Sequence, residues 1–113
     1  MKEIKAIIQP FMLVKVVEAL KEIEGLPGVT VSDVRGFGRA QAAGSPNMVV
    51  DGSVEYVKKS KVEIVVPDHL VAAVVQTIRD RAHTGNPGDG KIFVYEVDDV
   101  IRIRSGERGE DAI

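Results

Sequence analysis

Apolar side chains recur along the chain in two rhythms. In residues 2–9, Ile4, Ala6 and Ile8 fall on one face of an alternating pattern and Ile7 adds apolar character to the other, so the spacing predicts a strand closed by Pro10. Residues 11–23 change period. Leu13, Val14, Val17, Leu20 and Ile23 repeat at helical spacing, and Gly25, Pro27 and Gly28 end the helix. Val29, Val31 and Val34 belong to an extended segment that runs through Gly36 and Gly38 to Arg39, and another strand is predicted over residues 61–66. After Pro67, Asp68 stands where an N-cap would, ahead of a helix with the apolar positions Leu70, Val71, Val74, Val75 and Ile78. A glycine-rich loop, the strand KIFVYEV, a turn at Asp98 and Asp99, an extended VIRIR and a charged tail over about residues 105–113 follow.

The order strand, helix, strand, strand, helix, strand predicts an α+β fold, a ferredoxin-like βαββαβ sandwich in a single domain over residues 1–113. Between the second and third strands lies AQAAGSPNMVVDGSVEYVKK, poor in apolar periodicity and broken by Gly44, Pro46 and Gly52. It reads as a long flexible excursion at the tip of a hairpin. Loops beyond about 12–15 residues in a compact domain are usually functional or disordered, so its length is a clue to function.

Composition narrows the classes. A chain of 113 residues fits one core and leaves no room for a second. No apolar run approaches the roughly 20 residues of a membrane helix, and MKEIKAIIQ lacks the charged-then-apolar layout of a secretory signal, so a cytoplasmic location is expected. The absence of cysteine removes disulfides, thiolate metal sites and cysteine nucleophiles, leaving His69 and His83 as nitrogen ligands; no metal site is expected from so sparse a set. A net charge of −2 and 4% aromatic residues argue against a nucleic-acid partner, which would call for basic charge and stacking platforms.

The local chemistry lies in three elements. TGNPGDGK contains GxxxxGK, but a Walker loop follows a strand, opens a helix and carries Ser or Thr after its lysine; here the loop follows a helix, opens a strand and is followed by Ile92. What remains is a run of glycines, Gly85, Gly88 and Gly90, able to turn backbone N–H groups toward an anion, with the Lys91 charge at the mouth. The same pattern also describes a tight helix-to-strand turn. Arg102 and Arg104, two apart in an extended segment, project from one face and suit a polyphosphate, although a solvated edge face would look alike. GFGR places Gly36, Gly38 and Arg39 at the base of the long loop. Phe37 and Phe93 read as packing residues rather than base stackers. Together the three elements make a plausible site for an anionic nucleotide.

The segments AIIQPF, VTVSDVRGFGR, KVEIVVPD, TGNPGDGKIFV and VIRIRSGERGEDA, in this order, resemble the PII signal-transduction family, the nitrogen regulatory protein P-II family, over nearly the whole chain. The resemblance implies a homotrimer with ATP or ADP, with or without Mg2+, in the clefts between subunits, and a projecting T-loop, here about residues 40–57, that contacts a partner protein. By position it assigns Gly36, Phe37, Gly38 and Arg39 to the T-loop base and Gly88, Asp89, Gly90 and Lys91 to the phosphates. Arg102 and Arg104 would reach in from the neighbouring subunit, and Thr30 and Val65 would lie near adenine. Gln41 and Lys59 are the residues it offers to 2-oxoglutarate.

Departures shape that expectation. The modifiable tyrosine of many members is matched by Gly52, and Val50 stands where some carry a phosphorylated serine; the glutamine after the T-loop arginine is matched by Ala40, with Gln41 one position late. Gln9 and Met12 replace the usual lysines of the first segment, and Pro87 stiffens the phosphate loop. These features fit a divergent branch similar to PII-like proteins associated with cation efflux. The expected function is regulation of a partner enzyme, transporter (a membrane transporter included) or transcription factor, in nitrogen or related metabolic control, with no catalysis by the chain itself. A small ATP-hydrolysing enzyme and a metal-tolerance or efflux-associated trimer are the alternatives. The hydrolase lacks a visible general base and the hydroxyl after Lys91.

Overall fold

The computed structural model describes residues 1–38, 48–52 and 54–113. Its elements are β1 (Lys2–Ile8), α1 (Leu13–Lys21), β2 (Thr30–Gly36), β3 (Met48–Asp51), β4 (Val54–Val66), α2 (Val71–Ala82) and β5 (Gly90–Glu96), with 3-10 turns at Pro10–Met12, Asp68–Leu70 and Gly109–Ala112. The sheet is antiparallel in the order β2-β4-β1-β5, with β3 paired to β4 beyond the end of β1. This is the ferredoxin-like arrangement that the strand and helix order predicts.

Period-two alternation sorts each central strand into two faces. Ile4, Ala6 and Ile8 of β1 and Val62, Ile64 and Val66 of β4 point to one side and are buried against Val16 and Leu20 of α1 and Val74, Ile78 and Ala82 of α2. Burying each such Ile or Leu stabilises the fold by about 1.5–3 kcal/mol, which is why the helices stay on the sheet. The other face carries Glu3, Lys5 and Ile7, Lys61, Glu63 and Val65, and Lys91, Phe93 and Tyr95, in matching register. Among the described residues no helix is long and apolar enough to cross a membrane.

Four sequence expectations change. The buried stripe of α1 runs through Met12, Val16 and Leu20, while Val14 is 65% exposed. The reason is the tighter 3-10 turn at Pro10–Met12, which shifts the phase of the helix behind it. Asp68 caps nothing with its side chain; its carboxylate accepts a hydrogen bond from the amino terminus of Met1 at 2.9 Å, and the helix entrance is formed by a 3-10 turn. Part of the excursion is regular: β3 pairs with the first residues of β4, so β4 begins at Val54 rather than near residue 61. Finally, VIRIR is not an extended strand. The Arg102 N–H donates to the Glu107 carbonyl at 2.9 Å and the Gly106 N–H to the Arg102 carbonyl at 2.7 Å, closing a turn below a single Ile101–Arg108 bridge.

Candidate functional site

One end of the sheet gathers the glycine elements. β1 ends at Ile8 and is followed by Gln9, β5 begins with Gly90 and Lys91, β2 ends at Gly36, and β4 passes through with Lys59. Ile8 faces Gly90 on one flank and Ser60 on the other, Ile7 faces Lys91 and Lys61, and Val34 faces Lys59. Antiparallel topology therefore puts residues distant in sequence around the loop that joins α2 to β5.

That loop is braced from within. Burial alone would push the Asp89 carboxyl up, but hydrogen bonds from the Thr84 hydroxyl, the Thr84 N–H at 2.8 Å and the Gly85 N–H at 2.9 Å hold it below the ordinary value. His83 Nδ1 lies 3.7 Å from the same carboxylate. A carboxylate used in this way does not stand over the loop to repel an anion. The Asp89 side chain is committed to the loop's own groups.

Gly90 is required by geometry. Its φ is +108°, and an added Cβ would lie 1.7 Å from the Ile7 carbonyl oxygen, so β5 can start flush against β1 only with glycine there. The Gly88 carbonyl accepts hydrogen bonds from the Gln9 amide at 2.8 Å and from the Lys59 ammonium. Burial lowers the Lys59 pKa, an effect that the charge of Asp89 partly offsets. Lys91 is exposed on the sheet face away from the helices.

A second locus lies farther along that face. A cavity of about 410 Å³ is lined by Thr30, Glu63 and Val65, with Glu3, Gly28 and Ile113 around them. Burial raises the Glu3 carboxyl, and a hydrogen bond shared with Glu63 raises it further; that bond, with Lys61 at 3.4 Å, holds Glu63 low. The cavity thus presents a hydroxyl and two carboxyls beside apolar Val65. Val65 faces Glu3 and Lys91 faces Ile7 on the shared strand β1. Four residues of strand, roughly 13 Å, and the two strand spacings across β1, roughly 10 Å, separate them, about 16 Å on the diagonal.

The remaining residues expected at the site are dispersed within one chain. Gly36, Phe37 and Gly38 lie at the end of β2, where Phe37 is 72% exposed and tilts against Tyr56 at 6.2 Å between ring centroids. The Arg102 guanidinium donates to the Ile113 carbonyl at 3.3 Å and lies 3.8 Å from Glu107, while the bend after it removes the shared face expected for Arg102 and Arg104. Arg39 and Gln41 lie outside the described residues.

The sequence profile of the family described as Nitrogen regulatory protein P-II matches residues 1–107. The chain belongs to the nitrogen regulatory protein P-II family. It is 49% identical over 113 residues to the Nitrogen regulatory protein P-II of Rhodospirillum rubrum and 50% to that of Rhizobium meliloti, with both chains covered in full in each comparison. Nitrogen regulatory protein P-II 1 of Escherichia coli K12 is also 50% identical over the full length of both chains. Among solved structures, Arabidopsis thaliana PII bound to citrate superposes with a TM-score of 0.79 at 46% identity, covering 99% of this chain and 91% of that one.

As a P-II protein the chain is a signal-transduction regulator rather than an enzyme, and the hydrolase alternative falls with that assignment. Three residues that shape the loop and the cavity have no role in the sequence motifs. Thr84 is the partner of Asp89, Glu63 lines the cavity, and Gln9 holds the Gly88 carbonyl. None of the three had a readable signal, because each role depends on which residues the sheet register and the loop bring together.

Proposed function

We propose that the chain works as a homotrimer that binds ATP or ADP and passes the nucleotide state to a partner protein through the loop between β2 and β3. One observation carries this reading. The braced glycine loop with Lys91 and the cavity of Thr30 and Val65 lie on the same sheet face, about 16 Å apart on the diagonal across β1, a separation that suits phosphates at one end of an extended nucleotide and the base at the other. The cavity's carboxyls are acceptors for an amino-bearing base such as adenine.

Gly88, Asp89, Gly90 and Lys91 hold the phosphates. In the trimer, Arg102 and Arg104 approach from the neighbouring subunit, and Gly36, Phe37, Gly38 and Arg39 carry the signal into the loop. Phe93 at 37% and Tyr95 at 41% exposure, stacked on each other on the face away from the helices, support burial of that face against further copies of the chain. Mg2+ would accompany the triphosphate. Lys59 and Gln41 are the candidates for 2-oxoglutarate, and binding there would draw Lys59 off the Gly88 carbonyl. The citrate of the Arabidopsis relative supports the capture of small polycarboxylates within the family.

Isothermal titration calorimetry with ATP and ADP, each with and without Mg2+ and 2-oxoglutarate, tests the reading. Saturable binding of either nucleotide supports it, and no binding of either overturns it. Light scattering on the same sample reads the oligomer, for which a mass other than three chains removes the inter-subunit roles of Arg102 and Arg104.

A further inference from the structure

Gln9 is the first residue beyond β1, fixed in place by Pro10 behind it and by the Met12 N–H, which donates to its carbonyl at 3.0 Å. Its side chain, partly buried, spans 79 positions of sequence to donate from Nε2 to the Gly88 carbonyl at 2.8 Å. Lys59 reaches the same oxygen. A carbonyl oxygen has two lone pairs, so the two donors fill it.

No peptide in the described chain is cis. In a planar trans peptide the C=O of one residue and the N–H of the next point in opposite directions. Holding the Gly88 oxygen against Gln9 and Lys59 therefore turns the Asp89 N–H the other way, to the open side of the loop. The Asp89 carboxylate, bent back onto Thr84 and Gly85, leaves that side clear. Among the described residues, no hydrogen bond uses the Asp89 N–H.

We infer that Gln9 is a positioning residue for the phosphate loop, a neutral donor that keeps the Gly88–Asp89 peptide oriented for an anion whether or not Lys59 stays on the carbonyl. The inference rests on the nucleotide reading above and extends it. The two donors differ in what an arriving anion does to them. Lys59 carries a charge that a carboxylate or phosphate attracts, and burial already disfavours that charge where it sits. The Gln9 amide has no charge to be drawn off. With Lys59 released to a ligand, Gln9 alone keeps the loop amide aimed; with both donors lost, the peptide is free to rotate and the anion loses its donor.

The test uses the full chain with Gln9→Met, which keeps the length and bulk of the side chain and removes the donor, and Gln9→Lys, which restores a donor of similar reach. Should Gln9→Met not fold, Gln9→Ala takes its place. ATP, ADP and adenosine are titrated into each protein by calorimetry. A hydrogen bond of ordinary strength predicts about a tenfold weaker ATP and ADP affinity in Gln9→Met. Adenosine affinity should stay unchanged, and Gln9→Lys should recover ATP binding to within about threefold. Hydrogen exchange on the ligand-free protein should show faster exchange confined to residues 84–91 in Gln9→Met. A parallel loss of adenosine binding would make Gln9 a general structural residue, and unchanged ATP binding would remove its role; either result overturns the inference while leaving the nucleotide reading standing. Absence of any nucleotide binding by the unsubstituted chain overturns both.

Discussion

Replacing Gly90 with alanine tests the joint between the glycine loop and the sheet. Gly90 has a φ of +108°, and a Cβ there would sit 1.7 Å from the Ile7 carbonyl oxygen and 2.8 Å from its carbonyl carbon. The backbone conformation alone costs an alanine about 1–3 kcal/mol. The overlap is with backbone rather than with a flexible side chain, so β1 and β5 must part at this end. Loosening one or two ladder hydrogen bonds adds about 1 kcal/mol each. Together these give a destabilisation of about 2–5 kcal/mol, a large share of the 5–15 kcal/mol typical of a domain. Urea unfolding of the variant and the parent, at the same protomer concentration because assembly shifts the midpoint, measures it. Gly36→Ala is the control: no atom lies within 4 Å of its added Cβ, and the change should stay within about 0.5 kcal/mol. A Gly90→Ala protein within about 1 kcal/mol of the parent would refute the close approach on which the loop geometry rests.

Other expectations follow from separate parts of the structure. Leu20→Ala, at a fully buried position between α1 and the sheet, should cost about 3–5 kcal/mol in the same unfolding assay, whereas Val14→Ala on the exposed face should cost under about 1 kcal/mol. Arg35 bonds Asp51 at 2.9 Å and lies over the Tyr56 ring at 5.1 Å, tying β3 across β4 to β2; Arg35→Ala should change global stability by less than about 1 kcal/mol, because the pair is exposed, yet speed hydrogen exchange in Met48–Asp51. Asp89 has a folded pKa below its ordinary 3.8, so its bracing of Thr84 and Gly85 is complete above that value and is lost as the pH falls through the lower folded one. Exchange protection of the Gly85 amide should decline in that acidic window, and Asp89→Asn should abolish this pH dependence.

The legible parts of the sequence were those where one physical signal acted alone. β1, α2 and β5 announce themselves because a clean apolar period ends at Pro10, at the glycine loop or at the Asp98–Asp99 pair. In α1 the valines at 14, 16 and 17 satisfy two competing stripes, and only the phase set by the 3-10 turn at Pro10 decides between them. The start of β4 was hidden because Lys58 and Lys59 interrupt the apolar alternation; pairing on both flanks, with β2 and β3, makes the strand there. VIRIR alternates as a strand does, but Gly106 and Glu107 offer its backbone a turn that closes locally. The glycines and Lys91 of the glycine loop were readable as motif residues. The use of Asp89 as an internal brace and of Gln9 as a carbonyl clamp was not, because both depend on which residues the sheet register brings together.

The central claim is that one nucleotide spans the glycine loop and the Thr30–Val65 cavity. Backbone amide shift mapping by NMR on the isotope-labelled protein, with ATP added to saturation, addresses that claim most directly. The account predicts the largest shifts in two groups, at Gly88–Lys91 and at Thr30 with Val65, and a loss of the first group's response when adenosine replaces ATP. Shifts confined to other surfaces, or a single response at the loop that inorganic triphosphate reproduces in full, would contradict it.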